Sequence, residues 1–390
     1  MATPVGLLNG EAFGNRFVPT SKQMREARRI DRWLLSSIQV VEASSGHGGR
    51  TMEIWARAPL RLGLAGGGSD LPQFVDTYGG AVINATINRF VNVRLRDHTE
   101  GGVRFSSYDT NEVSESADTG MPKPGNMPLF WATYERMTAL SGKEKPSISI
   151  ESFSDSPVGS GLGTSSALCV ALVKAFDEYW GLGLSKSEIA WLAYDIERID
   201  CGFSGGMQDQ FAAVHGGFNL FRFKGEKEVE VVPIHLPDTV VTEFETAILL
   251  HYSGQSRYSS RIIDEQDKNI RELDAKTVDS LKQMRDQAEA FEEVLRSGSV
   301  DAFAEFIREG WEAKKRTASS ITNEQIQMIM EDAFEAGASA AKVSGAGGGG
   351  FVLFIVPFEY RNRVIETLEG HPGTTTACRF TSGGVVSWRK

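Results

Sequence analysis

Apolar and polar positions divide this chain into short alternating runs and longer stretches with helical spacing. Glu53 to Leu64, EIWARAPLRLGL, reads as a strand that runs into a glycine loop, Gly66-Gly67-Gly68-Ser69-Asp70. Ala81 to Arg96 reads as strands broken near Asn84 to Asn88, and Pro72 to Tyr78 as a short helix between these strands. Glu100 to Gly125 is polar and turn-rich, as a hairpin with an excursion would be, and Pro128 to Leu140 is helical. SISIES (Ser147 to Ser152) alternates like a strand. Beyond a glycine loop, Ala167, Val170, Leu172, Val173 and Phe176 recur at helical spacing. Ser185 to Asp200 is a further helix, with Ile189, Leu192, Ala193 and Ile196 on its apolar face. Strands are expected at Phe218 to Phe223, Val229 to Val232 and Thr246 to Tyr252. Helices follow at Arg261 to Leu273, Thr277 to Ser297, Val300 to Thr317 and Asn323 to Ala336. The strand Phe351 to Val356, a helix from Tyr360 to Glu369 and a strand from Thr375 to Phe380 close the pattern. Helices and strands are mixed without strict βαβ alternation, which predicts an α+β fold.

The first 51 residues differ from the rest. From Ser21 to Val41 apolar residues take one side and Arg25, Arg28, Arg29 and Arg32 lie mostly elsewhere, a basic amphipathic helix of the kind that binds a membrane surface or, as expected here, packs on its own domain. SSGHGG (Ser44 to Gly49) reads as a linker. The expected division is an extension over 1–51, a first domain over 52–240 and a second over 241–390. With 390 residues the chain is long enough for two domains or two joined halves. Hydrophobic residues at 41% and charged residues at 24% are ordinary for a soluble globular protein. The net charge of −10 argues against nucleic acid as a general partner. Three scattered cysteines make neither a disulfide framework nor a metal spacing and suit a reducing cytoplasm. The longest apolar run, Phe351 to Phe358, is too short to span a bilayer.

The candidate chemistry begins between SISIES and the helix after it. Gly159, Gly161 and Gly163 are followed by Thr164, Ser165 and Ser166. Such a loop lets the backbone approach a phosphate, and the free N–H groups of the helix start favour an anion. The hydroxyls can cap the helix or ligate a Mg²⁺ that travels with phosphates. A tight turn with an ordinary N-cap has the same letters. Lys342 to Gly350, KVSGAGGGG, contains a dinucleotide-type glycine pattern, but it precedes a strand where that site would follow one. A glycine run there marks close packing, against a neighbouring element or a ligand phosphate. Glu197, late in its helix, and Asp209, after a glycine-rich turn, fit a division of labour in which one carboxylate holds Mg²⁺ and the other takes a proton from an attacking hydroxyl. Taken singly, each would be equally at home as a solvated surface acid. Arg61, at the rim of the first loop, could neutralise charge on a transferred phosphoryl group or form an ion pair of the fold.

Three motifs in order, APLRLGLAGGGSD (Ala58 to Asp70), PVGSGLGTSSA (Pro157 to Ala167) and KVSGAGGGG, resemble those of the GHMP small-molecule kinases over about Met52 to Lys390. The resemblance implies a GHMP kinase fold, with an N-terminal half like ribosomal protein S5 domain 2 and a ferredoxin-like C-terminal half. GAVINATI (Gly80 to Ile87), GGMQDQFAAVHGGFN (Gly205 to Asn219), YSGQSRYSS (Tyr252 to Ser260) and VVSWR (Val385 to Arg389) resemble the heptose 7-phosphate kinase branch. That branch implies ATP and Mg²⁺ as cofactors, a sugar phosphate as partner and phosphorylation of the anomeric hydroxyl to a 1,7-bisphosphate; a kinase of an unphosphorylated sugar such as L-fucose and a non-catalytic kinase-like binding protein are the alternatives, and the expected partners include no nucleic acid and leave room for a homodimer. Carried over by position, Pro157, Gly159, Ser160, Gly161, Leu162, Gly163, Thr164, Ser165 and Ser166 would hold the nucleotide phosphates. Ser165 and Glu197 would hold the metal, and Asp209 would be the base with Arg61 beside the transferred phosphate. Gly67, Gly68, Ser69 and Asp70 would face the sugar, and Gly347 and Gly348 would pack across the site. For a 7-phosphate, Arg257 in SGQSR is the first choice of cation, with Arg89, Arg104, Lys123, Arg261 and Arg316 as further candidates.

Overall fold

The computed structural model describes residues 52–117, 119, 126–254 and 259–390. The expected amphipathic helix, the linker, Lys123 and Arg257 lie outside the described residues.

Strand β1 (Glu53–Ala65) runs antiparallel to β2 (Gly80–Asp97), with helix α1 (Pro72–Tyr78) between them. β2 is one continuous strand, not the interrupted pair expected from its sequence. Its first part pairs with β6 (Phe218–Lys224), and its second with β5 (Ile148–Ser154). The apparent break near Asn84 to Asn88 is a change of partner. A register shift between Pro59 and Leu60 of β1 bends the pair there, as a bulge does. The hairpin β3 (Val103–Ser107) and β4 (Glu112–Ser116) extends the sheet through a parallel pairing of β3 with β5, and β7 (Glu228–Pro233) flanks β6.

Helices α2 (Pro128–Ser141), α3 (Thr164–Trp180), α4 (Lys186–Asp195) and α5 (Gln208–His215) build the layer over this sheet, with α3 against β1 and β2. Val170, Leu172, Val173 and Phe176 of α3 are fully buried among Ile54, Val93 and Leu95 from the strands. Burying a side chain of this kind is worth about 1.5–3 kcal/mol, so the amphipathic pattern pins the start of α3 over the sheet. A capping box between Ser185 and Glu188 opens α4. The helix then continues as a π-helical turn, Ile196–Asp200, a deviation that recurs at functional sites.

Helix α6 (Asp238–Ala247) precedes β8 (Ile248–Tyr252), where the sequence pattern suggested a strand already at Thr246. The run Thr239-Val240-Val241-Thr242 is β-branched and weakens the helical signal, but burial of Phe244 and Ala247 decides the outcome. Helices α7 (Ser259–Arg271), α8 (Ala275–Ser297), α9 (Val300–Lys315) and α10 (Glu324–Glu335) follow as expected. The second sheet, in order β11-β8-β10-β9, contains β9 (Ala340–Val343), β10 (Phe351–Ile355) and β11 (Thr374–Ala377), with α11 (Arg361–Glu369) between the last two. With α10 and α11 it forms a β-α-β-β-α-β split unit of antiparallel strands, the ferredoxin-like arrangement. The chain then returns to the first sheet. β12 (Val386–Arg389) pairs with β1, and Trp388 stacks on Trp55 at 6.1 Å. No helix among the described residues is long and apolar enough to cross a membrane.

Candidate active site

A cleft of about 940 Å³ lies where the ends of β1 and β9 meet the starts of α3 and α5. Its walls bring together the three glycine motifs that lie far apart in sequence. Gly67, Gly68 and Asp70 come from the first; Gly159, Ser160, Gly161, Gly163, Thr164, Ser165 and Ser166 from the second; Gly345 and Ala346 from the third.

The second motif turns into α3 through Gly163, whose φ of 77° makes a left-handed N-cap that an L side chain would strain. Gly161 also has positive φ, and a Cβ on it would lie 2.4 Å from the Ser344 carbonyl oxygen. The third motif therefore packs directly on the second. The Ser344 hydroxyl donates to the Gly161 carbonyl at 2.9 Å, and the Phe351 N–H donates to the Ser160 carbonyl at 2.9 Å. Close backbone packing explains these glycines. Gly347 and Gly348 are turned away from the cleft, against the turn at Ser319–Ile321, where the Gly348 N–H donates to the Ile321 carbonyl.

Asp209 stands at the second position of α5, and Arg61 reaches it from β1. The Arg61 Nε donates to Asp209 Oδ1 at 2.7 Å and Nη2 to Oδ2 at 2.8 Å, a bidentate ion pair. Arg61 Nη1 donates to the Gly161 carbonyl at 2.6 Å, tying carboxylate, guanidinium and the second glycine loop into one unit. Arg61 is only 5% exposed.

Glu197 sits on the π-helical turn, 2% exposed. Its Oε2 accepts from the Ser166 hydroxyl at 2.6 Å and from Gln210 Nε2 at 2.7 Å, and Arg198 Nη1 lies 3.3 Å from Oε1. The hydroxyl joined to Glu197 is thus that of Ser166, while Ser165, the residue the motif put there, lines the cleft about 100° round the helix. One carboxylate with two adjacent hydroxyls suits Mg²⁺, which keeps waters and takes much of its shell from substrate phosphates. Among the described residues no three His, Cys, Asp or Glu side chains gather into a cation cage.

Asp70 is buried and accepts from the Gly68 N–H at 3.0 Å, the Gln208 N–H at 3.0 Å and Gln208 Nε2 at 2.8 Å. It anchors the start of α5 as well as bordering the cleft. Ser69 does not reach the cleft: its hydroxyl donates to the Ala81 carbonyl and accepts from the Ala81 N–H. Leu162 is wholly buried, and its carbonyl holds the Arg61 N–H; Pro157 is exposed outside the cleft. Of the candidate cations for a sugar phosphate, Arg89 holds the Asp155 carbonyl and Thr376, Arg104 pairs with Glu115, and Arg316 holds Gln283. None of these three, nor Arg261, lines the cleft.

Two lysines are among the cleft residues not singled out in the sequence. Lys314, at the end of α9, donates to the Gly345 carbonyl, and Lys342 of β9 donates to the Gly63 and Leu64 carbonyls at 2.8 and 3.1 Å. Burial, with Arg61 nearby, pushes the Lys314 ammonium down to about 8; burial, with Lys314 and Arg61 nearby, pushes Lys342 down to about 7. Lys342 opens the third motif, so a signal was present; Lys314 lies in an ordinary amphipathic helix that carried none.

Residues 128–217 match the family profile of the GHMP kinases N terminal domain, and residues 288–372 that of the GHMP kinases C terminal domain. The chain is 36% identical over 337 residues to D-glycero-alpha-D-manno-heptose 7-phosphate kinase of Campylobacter jejuni, covering 86% of this chain and 99% of that protein. The crystal structure of a D-glycero-D-manno-heptose 1-phosphate kinase from Bacteroides thetaiotaomicron superposes with a TM-score of 0.73 at 32% identity, over 86% of this chain and 98% of the other. A galactokinase of Lactococcus lactis shares the fold alone, at 19% identity and a TM-score of 0.67 over 86% and 95% of the two chains. With both halves of the fold present, the three glycine motifs in one cleft and 36% identity across the aligned residues of an enzyme it spans almost end to end, the chain belongs to the GHMP kinases.

Proposed function

We propose that the chain is an ATP-dependent kinase that phosphorylates the anomeric hydroxyl of D-glycero-α-D-manno-heptose 7-phosphate, giving the 1,7-bisphosphate. The observation that carries this is the Asp209–Arg61–Gly161 unit, a carboxylate locked onto a phosphate loop in a cleft large enough for a nucleotide and a sugar. The heptose is supported by the relative that the chain matches at 36% identity over nearly its whole length.

In this reading the loop from Gly159 to Ser166 cradles the β- and γ-phosphates of ATP. Asp209 accepts the proton of the anomeric hydroxyl as the hydroxyl oxygen attacks the γ-phosphorus and the bond from that phosphorus to the β,γ-bridging oxygen breaks, releasing ADP. Arg61 holds both Asp209 oxygens and so fixes the direction of the remaining lone pairs. Glu197, Ser165 and Ser166 would hold Mg²⁺, which when bound offsets charge on the nucleotide phosphates. Gly67 and Gly68 border the acceptor, and the Gln208 amide bonds keep Asp70 in place beside it. Arg257 stays the first candidate for the 7-phosphate. The reading puts the enzyme in the cytoplasm, which three unpaired cysteines suit.

The test is ADP release from Mg·ATP with D-glycero-D-manno-heptose 7-phosphate run beside mannose, fucose, galactose and sedoheptulose 7-phosphate. Turnover confined to the heptose 7-phosphate is the expected result. Turnover on a free sugar with none on the heptose phosphate would reject the substrate while leaving the chemistry in place.

A further inference from the structure

Four acids and four cations line the cleft, and two of those cations make no ion pair. Arg61 spends its charge inside the protein, because Asp209 takes two of its N–H groups and the Gly161 carbonyl a third. Arg198 stands against Glu197. Lys314 and Lys342 have no such partner: among the described residues neither ammonium has a carboxylate within 4.0 Å, and both are held only by backbone carbonyls. Lys314 is 7% exposed, yet both lysines line the cleft. A buried ammonium without a counter-ion is costly, and the depressed proton affinity of both groups reflects that cost. An anion entering the cleft would remove it.

Their anchors place both ammonium groups among the glycine motifs. Lys342 holds two carbonyls of the first motif, two and three residues beyond Arg61. Lys314 holds the turn of the third motif, which lies on Gly161 of the phosphate loop. Both line the same cleft as Arg61, Asp209 and the second glycine loop, the space that phosphoryl transfer would use in the reading above. We propose that Lys314 and Lys342 together form the cationic seat of the transferred phosphoryl group, contacting its equatorial oxygens while Arg61 serves to position Asp209. The proposal rests on the phosphoryl-transfer reading above, though not on the identity of the sugar.

The same chemistry, a phosphate, could come from the acceptor, so the test separates the two sources. K314M and K342M of the full chain are assayed with Mg·ATP on heptose 7-phosphate and on the same heptose without its phosphate. A seat for the transferred group lowers kcat by at least about 10²-fold, by the same factor on both acceptors, with KM for sugar and ATP changed less than about threefold. Normal kcat, or an effect confined to KM for the phosphorylated sugar, overturns the proposal. Should the Met variants fail to fold, K314Q and K342Q can still donate to the same carbonyls and carry the same expectations. A second arm needs no acceptor. Trapping of ADP with orthovanadate, a mimic of the group in transit, should weaken at least about tenfold in the variants while ADP alone binds as in the parent. Equal trapping overturns the proposal. A parent protein that traps ADP and vanadate but turns over no sugar phosphate would reject the substrate assignment and leave the seat standing.

Discussion

Asp209→Asn separates the chemistry of the site from its architecture. The change leaves one carbonyl oxygen facing Arg61 and turns an amide N–H₂ toward a guanidinium that is 5% exposed. At least one of the bonds at 2.7 and 2.8 Å is lost, worth about 1.5–3 kcal/mol for a charged pair. The buried guanidinium also loses its counter-ion, and breaking a buried pair by removing one partner costs about 3–5 kcal/mol. A drop in stability toward that figure is therefore expected, measured by urea unfolding of the parent and the variant. If Asp209 is the base, kcat for ADP release also falls by at least about 10². The two effects come apart in Arg61→Met/Asp209→Asn, which removes the stranded charge. Stability should recover in part, and turnover should stay down by the same factor. Near-normal kcat in Asp209→Asn would refute the base assignment, and so would a double variant whose turnover returns together with its stability.

Gly161→Ala places a Cβ 2.4 Å from the Ser344 carbonyl at a φ of +79°, so about 1–2 kcal/mol of backbone strain adds to the overlap. It should raise KM for ATP severalfold and lower the melting temperature, whereas unchanged values would mean that the two glycine loops do not need their close contact. Glu197→Gln should raise the Mg²⁺ concentration for half-maximal turnover at least about tenfold; an unchanged Mg²⁺ requirement removes Glu197 from the metal. Lys342 is pushed down to about 7 in the folded chain, below its unfolded value near 10.5, so from pH 7 upward the unfolded state holds a proton that the folded state has released. The apo protein should therefore gain stability from pH 7 to 8.5 relative to Lys342→Met, as read by urea midpoints of both proteins. Parallel pH curves would show that Lys342 keeps its usual affinity for protons.

Much of the architecture was legible because it follows from local rules. The 3.6-residue spacing of Val170, Val173 and Phe176 predicts a helix whichever partner covers it, and the Ser185–Glu188 box marks its neighbour's start. Helix α6 was missed, with a strand expected from Thr246, because a β-branched run speaks against a helix locally, while the burial of Phe244 that overrides it comes from residues distant in sequence. The break assigned to β2 failed for a similar reason, since a strand that changes partners midway carries polar residues at the change without ending.

The sequence alone determined the kinds of group present: three glycine turns, a run of hydroxyls, two acids and an arginine, each marked by residue types that constrain the backbone or carry a charge. Only the tertiary structure decided which of them meet. It brought Arg61 onto Asp209 across 148 positions, set Ser166 rather than Ser165 against Glu197, and turned Ser69 and Gly348 out of the cleft. It also brought in Lys314 and Lys342, because a lysine's environment depends on the surfaces folded around it and leaves no trace in the spacing of its neighbours along the chain.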